Sequence, residues 1–301
     1  MRKFIKKIVL FFAFFILINA IIYFLFINDT HNDYNDFNKN GSVYLMADSH
    51  GEALKKYPDD FGIVNFSYES DSYFDIERKL NFLIKETNIK KIVISIDNHC
   101  FSNYRENINN IDKSIYFESV CSDNASAYEN FKNKYIRYYF PVFNSNSPTI
   151  IKIDIFKMLS NRKQGSANLK NWNSLTESEK TKQSISRLEV QFESKKNSQK
   201  LLDHFAKIIS IANKNKVEII AIKFPISKNY YKNLMKFDSL NVDHLLKDKK
   251  IKIIDFQKVY FDNDTFFSDA DHLNDIGGLE FSKLLNDSIN KSKNSINHDK
   301  N

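Results

Sequence analysis

The sequence predicts an α/β protein, a parallel sheet covered by helices on both faces, behind one membrane-spanning helix at the N-terminus. Three observations carry this. Short β-branched runs alternate with longer segments whose apolar residues recur at helical spacing, the pattern of parallel strands joined by crossover helices. A nearly unbroken apolar run opens the chain behind a cluster of cations. The length, 301 residues, suffices for one large α/β domain with a full core.

Arg2, Lys3, Lys6 and Lys7 precede an apolar run from Ile8 to Ile27 that only Asn19 interrupts. About 20 such residues in a helix span the roughly 30 Å of a bilayer core. The cations favour a cytoplasmic N-terminus, which places the rest of the chain outside the cytoplasm, on the periplasmic or outer face of the inner membrane. A cleaved signal peptide is the rival. Its apolar region is shorter and ends in a small-residue cleavage site, whereas this run ends in Tyr23-Phe24-Leu25-Phe26-Ile27-Asn28. An uncleaved anchor fits better.

Residues 28–40 read as a polar linker. Ser42–Ala47 then reads as a buried strand and Phe61–Phe66 as a second. Tyr73–Glu86 places Phe74, Ile76, Leu80, Leu83 and Ile84 at helical spacing. Lys91–Ile96 is a β-branched strand. Leu201–Asn213 is an amphipathic helix, Val217–Phe224 and Lys250–Phe256 are two more strands, and Asp275–Asn290 is a final helix. Residues 103–195 break the alternation, with a few apolar patches such as Tyr135–Phe143 and Thr149–Leu159. The expected organisation is a basic tip and anchor over 1–30, a linker over 31–41, and the α/β domain over 42–290. A mostly helical cap is inserted at about 103–195, and a polar tail covers 291–301.

The formal charge of +7 comes from scattered lysines interleaved with acids, with no arginine-rich stripe or aromatic platform. That excludes nucleic acid as an expected partner. Cys100 and Cys121 are the only cysteines, too few for a disulfide framework, and their pairing stays open.

Sites in parallel sheets form where strands end. Asp48-Ser49 follows the first strand, the loop Asn65–Ser72 the second, Asp97-Asn98-His99 the third, and Asp269–His272 the last. All candidate polar groups therefore fall at one edge. Ser49 offers a hydroxyl on a strand-to-helix turn. His272 offers a base, and Asp269, three residues before it, a carboxylate to orient that base. Asn98 offers a side-chain amide as an oxyanion donor. Each alone is also what a cap or turn would use. His50, His99 and His272 with Asp48 and Asp97 have residue types that suit zinc, but their spacings fit no metal motif, and serine chemistry needs none. Neither metal nor cofactor is expected.

These residues resemble the motifs of the SGNH/GDSL hydrolase superfamily. Ala47-Asp48-Ser49 matches its Gly-Asp-Ser. Asn65-Phe66-Ser67-Tyr68-Glu69-Ser70-Asp71-Ser72 resembles its second stretch, with Ser70 at the glycine oxyanion position. Ile96-Asp97-Asn98-His99 resembles its Gly-x-Asn-Asp, and Asp269-Ala270-Asp271-His272-Leu273-Asn274, followed by Gly277, matches its Asp-x-x-His stretch. The resemblance covers roughly 42–102 and 197–290. It implies a three-layer α/β/α sandwich with a flavodoxin-like parallel sheet. It implies Ser49, His272 and Asp269 as the catalytic set, with the Ser49 and Ser70 N–H groups and Asn98 forming the oxyanion hole. Ala47, Ser70 and Ile96 depart from the family's glycines and His99 from its Asp.

For membrane-anchored, extracytoplasmic members the implied function is a serine esterase or O-acyltransferase acting on acyl esters of a cell-envelope polysaccharide. The expected partners are an acylated glycan, the membrane and, for transfer, a membrane-bound acyltransferase. The alternative is a non-catalytic domain that binds glycan or a partner in envelope polysaccharide assembly.

Overall fold

The computed structural model describes residues 1–55, 57, 61–121, 128, 131–143, 147–148, 151–152, 155, 171–240, 243–246 and 251–298. The chain divides into two compact units, Met1–Asp36 with Ile111–Asn168, and Phe37–Asn110 with Leu169–Asn301. Among the described residues the α-helices of five or more residues are, in chain order, α1 (Arg2–Ile22), α2 (Asn28–Asn35), α3 (Tyr73–Glu86), α4 (Asn103–Asn107), α5 (Ile111–Cys121), α6 (Glu177–Gln191), α7 (Gln199–Lys214), α8 (Lys228–Leu234) and α9 (Asp275–His298).

The larger unit is built on five parallel strands, β1 (Val43–Met46), β2 (Val64–Asn65), β3 (Lys91–Ser95), β4 (Glu218–Lys223) and β5 (Lys252–Asp255), in the order β2-β1-β3-β4-β5. This is the flavodoxin-like order, whose crevice opens between β1 and β3 at the strand ends. Period-2 alternation sorts the strand residues onto two faces. Leu45, Val93, Ile220 and Ile222 join Leu188, Tyr230, Phe281 and Leu285 in one core, so α6, α8 and α9 cover that face. Tyr44, Met46, Ile92 and Ile94 point to the other and are all buried. There α3 packs against α7, with the Tyr73, Phe101 and Phe205 rings 4.8–5.4 Å apart, and the Tyr73 hydroxyl donates to the Ser95 carbonyl at 2.8 Å.

Local sequence sets the helix starts. Ser72 and Asp75 form a reciprocal capping box for α3, Thr176 and Glu179 one for α6, and the Ser198 hydroxyl accepts the Leu201 N–H for α7.

In the smaller unit α1 runs through a π-turn at Tyr23–Ile27 into α2, one helix from Arg2 to Asn35 that is long and apolar enough to cross a membrane. The structure corrects the linker expected over 31–41, because its first part is helical. Ile27, His31 and Tyr34, at helical spacing, are buried. His31 stacks on Tyr138 at 4.2 Å, Tyr34 lies 5.8 Å from Phe117, and the Asn35 amide donates to the Tyr138 hydroxyl at 2.6 Å. Tertiary packing overrides the polar composition.

The cap expected at 103–195 is likewise divided. Residues 103–110 and 169–195 belong to the larger unit, where Trp172, Leu188 and Phe192 enter its core. The buried face of α6 carries Lys180, Ser184 and Gln191 beside Leu188, so its composition does not mark it as a core helix. Part of the insertion lies outside the described residues. Helix α9 continues to His298, into the tail expected over 291–301. Cys100 is a buried free thiol, and the Cys121 side chain lies outside the described residues.

Candidate active site

The turn after β1 is a short 3-10 helix, Ser49–Leu54, rather than the start of an α-helix. Two close approaches require glycine. A Cβ on Gly51 would stand 2.3 Å from the Ser67 hydroxyl oxygen, and one on Gly278 would stand 2.2 Å from the Ala53 carbonyl oxygen. The turn is thereby pressed between the Asn65–Ser72 loop and the first turn of α9. The Asn65 amide donates to the Gly51 carbonyl at 2.8 Å, and Glu52 accepts the Glu69 N–H at 2.8 Å.

Ser49 and His272, from opposite ends of the chain, meet here. The Ser49 Oγ lies 2.9 Å from His272 Nε2. On the other side of the ring, Nδ1 lies 3.0 Å from both carboxylate oxygens of Asp269, which also accepts the His272 N–H at 2.9 Å. A second carboxylate shares that nitrogen: Asp271 Oδ1 stands 3.3 Å from Nδ1. Asp269 is half exposed, whereas Asp271 is buried and held by Arg187 Nε at 3.1 Å and the Gln191 amide at 2.9 Å. Burial opposes the imidazolium, but the Asp271 charge, followed by the hydrogen bonds that Asp269 and Asp271 accept from the ring, pushes the His272 pKa up to about 9.

Ser70 takes a left-handed backbone conformation, φ 69°, which a glycine would adopt without strain. Its loop is fixed from below. Lys79 donates to the Phe66 carbonyl at 2.9 Å and to Asp71 at 2.5 Å, and the Asn110 amide donates to the Glu69 carbonyl at 2.7 Å. Burial pushes the Asp71 pKa up to about 6 against the pull of Lys79. Among the described residues no hydrogen bond engages the N–H of Ser49 or of Ser70. Asn98 begins the 3-10 helix Asn98–Phe101 at the end of β3, and its side-chain oxygen is buried without a hydrogen-bond partner among the described residues.

Beneath these groups lies a buried ionic layer, of which the sequence had grouped Asp48, His50, Asp97 and His99 only as residue types that suit a metal. Asp48 accepts from Arg105 and from His99 Nε2, the latter at 2.7 Å, and also caps the His50 N–H at 3.1 Å. His50 Nδ1 donates to Asp97 at 3.0 Å, and its Nε2 faces Asp271 at 3.5 Å. Asp97 is completed by the Ser95 hydroxyl at 2.8 Å and the Phe224 N–H at 3.0 Å. Burial opposes ionisation of Asp48, but Arg105, His99 and His50 together hold its carboxyl well below the usual range. Burial likewise opposes the His50 imidazolium, yet Asp48, Asp271 and Asp97 raise its pKa well above normal. His99 goes the other way, because burial outweighs Asp48. One signal was present in the chain: Asp48-Ser49-His50 and Asp97-Asn98-His99 repeat the same spacing after adjacent strands.

Among the described residues two sets, His50 with Asp271 and His272, and Asp48 with His99 and Cys100, have donors close enough to hold a metal. In each, the carboxylate is already balanced by an arginine, and burial keeps the Cys100 thiol pKa well above normal.

No family model and no curated protein matches the chain. Among solved structures, it is similar to a GDSL-like lipase from Bacteroides thetaiotaomicron, at 12% identity and a TM-score of 0.40 over 83% of this chain and 88% of that one. It is also similar to a protein assigned as an acylhydrolase from Bacteroides fragilis, at 11% identity and a TM-score of 0.38 over 88% of this chain and 94% of that one. What the site can do follows from its own geometry.

Proposed function

We propose that the chain is a membrane-anchored serine esterase or O-acyltransferase that acts on acyl esters of a cell-envelope polysaccharide. The relay Ser49 Oγ, His272 Nε2, Asp269 carboxylate carries this reading, with both hydrogen bonds at 2.9–3.0 Å. Neutral His272 takes the Ser49 proton as the oxygen attacks the ester carbonyl. The Ser49 and Ser70 N–H groups and the Asn98 amide face the oxyanion that forms. Collapse breaks the bond to the alkoxy group, which takes the former Ser49 proton from His272 and leaves as the alcohol, with the acyl group on Ser49. His272 then deprotonates the acceptor. Water completes hydrolysis, and a sugar hydroxyl completes transfer. The motif resemblance supports the ester chemistry, and the anchor supports an envelope substrate. A membrane-bound acyltransferase is the proposed acyl source for transfer. The cations before Ile8 support an extracytoplasmic catalytic unit, so a C-terminal alkaline phosphatase fusion should be active in cells.

The test is hydrolysis of a small aryl acetate by the full-length chain in detergent. Wild type should turn it over and label with a fluorophosphonate, and Ser49→Ala should do neither. Equal activity in both removes Ser49 as nucleophile. Folded wild type that neither labels nor turns over would leave the non-catalytic, glycan-binding alternative.

A further inference from the structure

Asn19 is the one polar residue in the apolar run, and it does not face outward. It is 4% exposed. Its Nδ2 donates to the Phe15 carbonyl at 2.9 Å, and its Oδ1 accepts the backbone N–H of Val142 at 3.4 Å. Neighbouring contacts extend this pairing along the helix. Tyr138 stacks on His31 at 4.2 Å, Tyr139 lies 5.3 Å from Tyr23, and Phe140 stacks on Phe15 at 6.5 Å. From 138 to 140 its partners move from residue 31 through 23 to 15, and Val142 turns back to residue 19. At 1.5 Å per residue, Asn19 lies about 12 Å inside the outer end of the run at Ile27, and Phe15 about 18 Å. A bilayer core is roughly 30 Å thick, so a spanning helix carries residues 140–143 to about mid-depth.

The chemistry of the segment follows the same order. Tyr23, Tyr138 and Tyr139 sit at the end of the run, where rings with a polar edge favour the interface. Deeper, Val142 and Phe143 present 59% and 53% of their surface outward. An apolar cleft of about 480 Å³ lies between helix and segment, lined by residues that include Phe11, Ile18, Pro148 and Ile151. The backbone meets the strictest requirement of that environment, internal satisfaction of its N–H groups. Phe140 N–H bonds to the Ile136 carbonyl, Pro141 has none, Val142 N–H bonds to Asn19, and Phe143 N–H bonds to the Phe140 carbonyl.

We propose that residues 140–143 form a re-entrant element that enters the hydrocarbon core beside the anchor, with bilayer acyl chains filling the cleft. This rests on the reading of α1 as membrane-spanning. The test uses the full chain with Cys100→Ala and Cys121→Ala, in phosphatidylcholine vesicles with or without brominated acyl chains. A single cysteine at Phe143→Cys carries an environment-sensitive fluorophore. Phe14→Cys on the anchor and Lys283→Cys on α9 are the references, and Val142→Cys serves if Phe143→Cys fails to fold. Bromolipid should remove emission at 143 as strongly as at 14, and aqueous iodide should quench 283 alone. Iodide quenching of 143 with bromolipid quenching of 14 overturns the proposal and keeps the anchor. Protection of 143 from both quenchers shows a protein surface over the segment and also overturns it. Bromolipid quenching at neither 14 nor 143 removes the anchor reading itself.

Discussion

Two polar layers meet at the carboxyl edge of the sheet, and they are built to opposite rules. The upper layer, Ser49, His272 and Asp269, is partly open to solvent, with the His272 side chain 19% and Asp269 50% exposed. Its acid and base lie three residues apart on one loop. The lower layer, Asp48, His50, Asp97, His99, Arg105 and Asp271, is at most 3% exposed throughout. Its bonds are reciprocal and long-range: His50 from the β1 turn binds the Asp97 of the β3 turn, and His99 from the β3 turn binds the Asp48 of the β1 turn. The crossing locks two adjacent strand ends together under Ser49. The difference teaches that the groups proposed to react are reachable and partly local, while the groups beneath them are unreachable and gathered from across the chain.

Breaking the lower layer should therefore unfold the protein, and breaking the upper layer should silence it. Arg105→Met leaves Asp48 without its strongest cation. Removal of one partner from a buried ion pair costs about 3–5 kcal/mol, and urea denaturation should show a loss of that size. Ser49→Ala should shift the same curve by less than about 0.5 kcal/mol, as for a substitution outside the core network. An Arg105→Met midpoint equal to wild type would show that the lower layer does not support the fold.

Activity and stability should respond to pH with opposite signs, both through His272. With a His272 pKa of about 9, most rings at pH 7 are imidazolium and cannot accept the Ser49 proton. Activity on an aryl acetate should rise about fifty-fold between pH 7 and 9, in step with the free-base fraction. Stability should fall over the same range. The folded pKa lies above the ordinary value of 6.5, so the contribution is complete below 6.5 and lost as pH rises through about 9. A rate flat above pH 7 would mean that His272 is already neutral in the free enzyme.

Asp271 sharpens the boundary, because it belongs to both layers. Asp271→Asn removes the charge that most raises the His272 pKa, so the rising limb of the pH–rate profile should move down by about one unit. Asp269→Asn should lower the rate at every pH and move the limb less. Equal displacement by both substitutions would assign the two carboxylates one role.

How legible each part was follows from range. The sheet was readable because buried parallel strands are continuous β-branched runs, such as Lys91–Ile96. Ser49, Asp269 and His272 were readable because a motif is a local spacing. Arg105, Arg187 and Gln191 were not, since their partners lie 57, 84 and 80 residues away, and all three fell in a stretch whose polar composition resembled a surface cap. The helical turn at His31 and Tyr34 was hidden for the same reason, because residues distant in the chain, Phe117 and Tyr138 among them, make it a buried face.

The smallest predicted effect tests the seam between the layers. Ser70 stands where the oxyanion loop turns, with φ 69°, and only its backbone is proposed to act. A left-handed conformation costs an ordinary L-residue roughly 1–2 kcal/mol, and the bonds from Lys79 and Asn110 hold the loop in it regardless. Ser70→Gly removes that strain, and the greater freedom of glycine in the unfolded chain offsets part of the gain. The net should be a stabilisation under about 1 kcal/mol, read as a small rise in urea midpoint. Activity should hold within about twofold, because the N–H donor that would face the oxyanion is unchanged. A tenfold loss of kcat/KM with folding intact would show that the Ser70 hydroxyl itself contacts substrate, and would move this residue into the reacting layer.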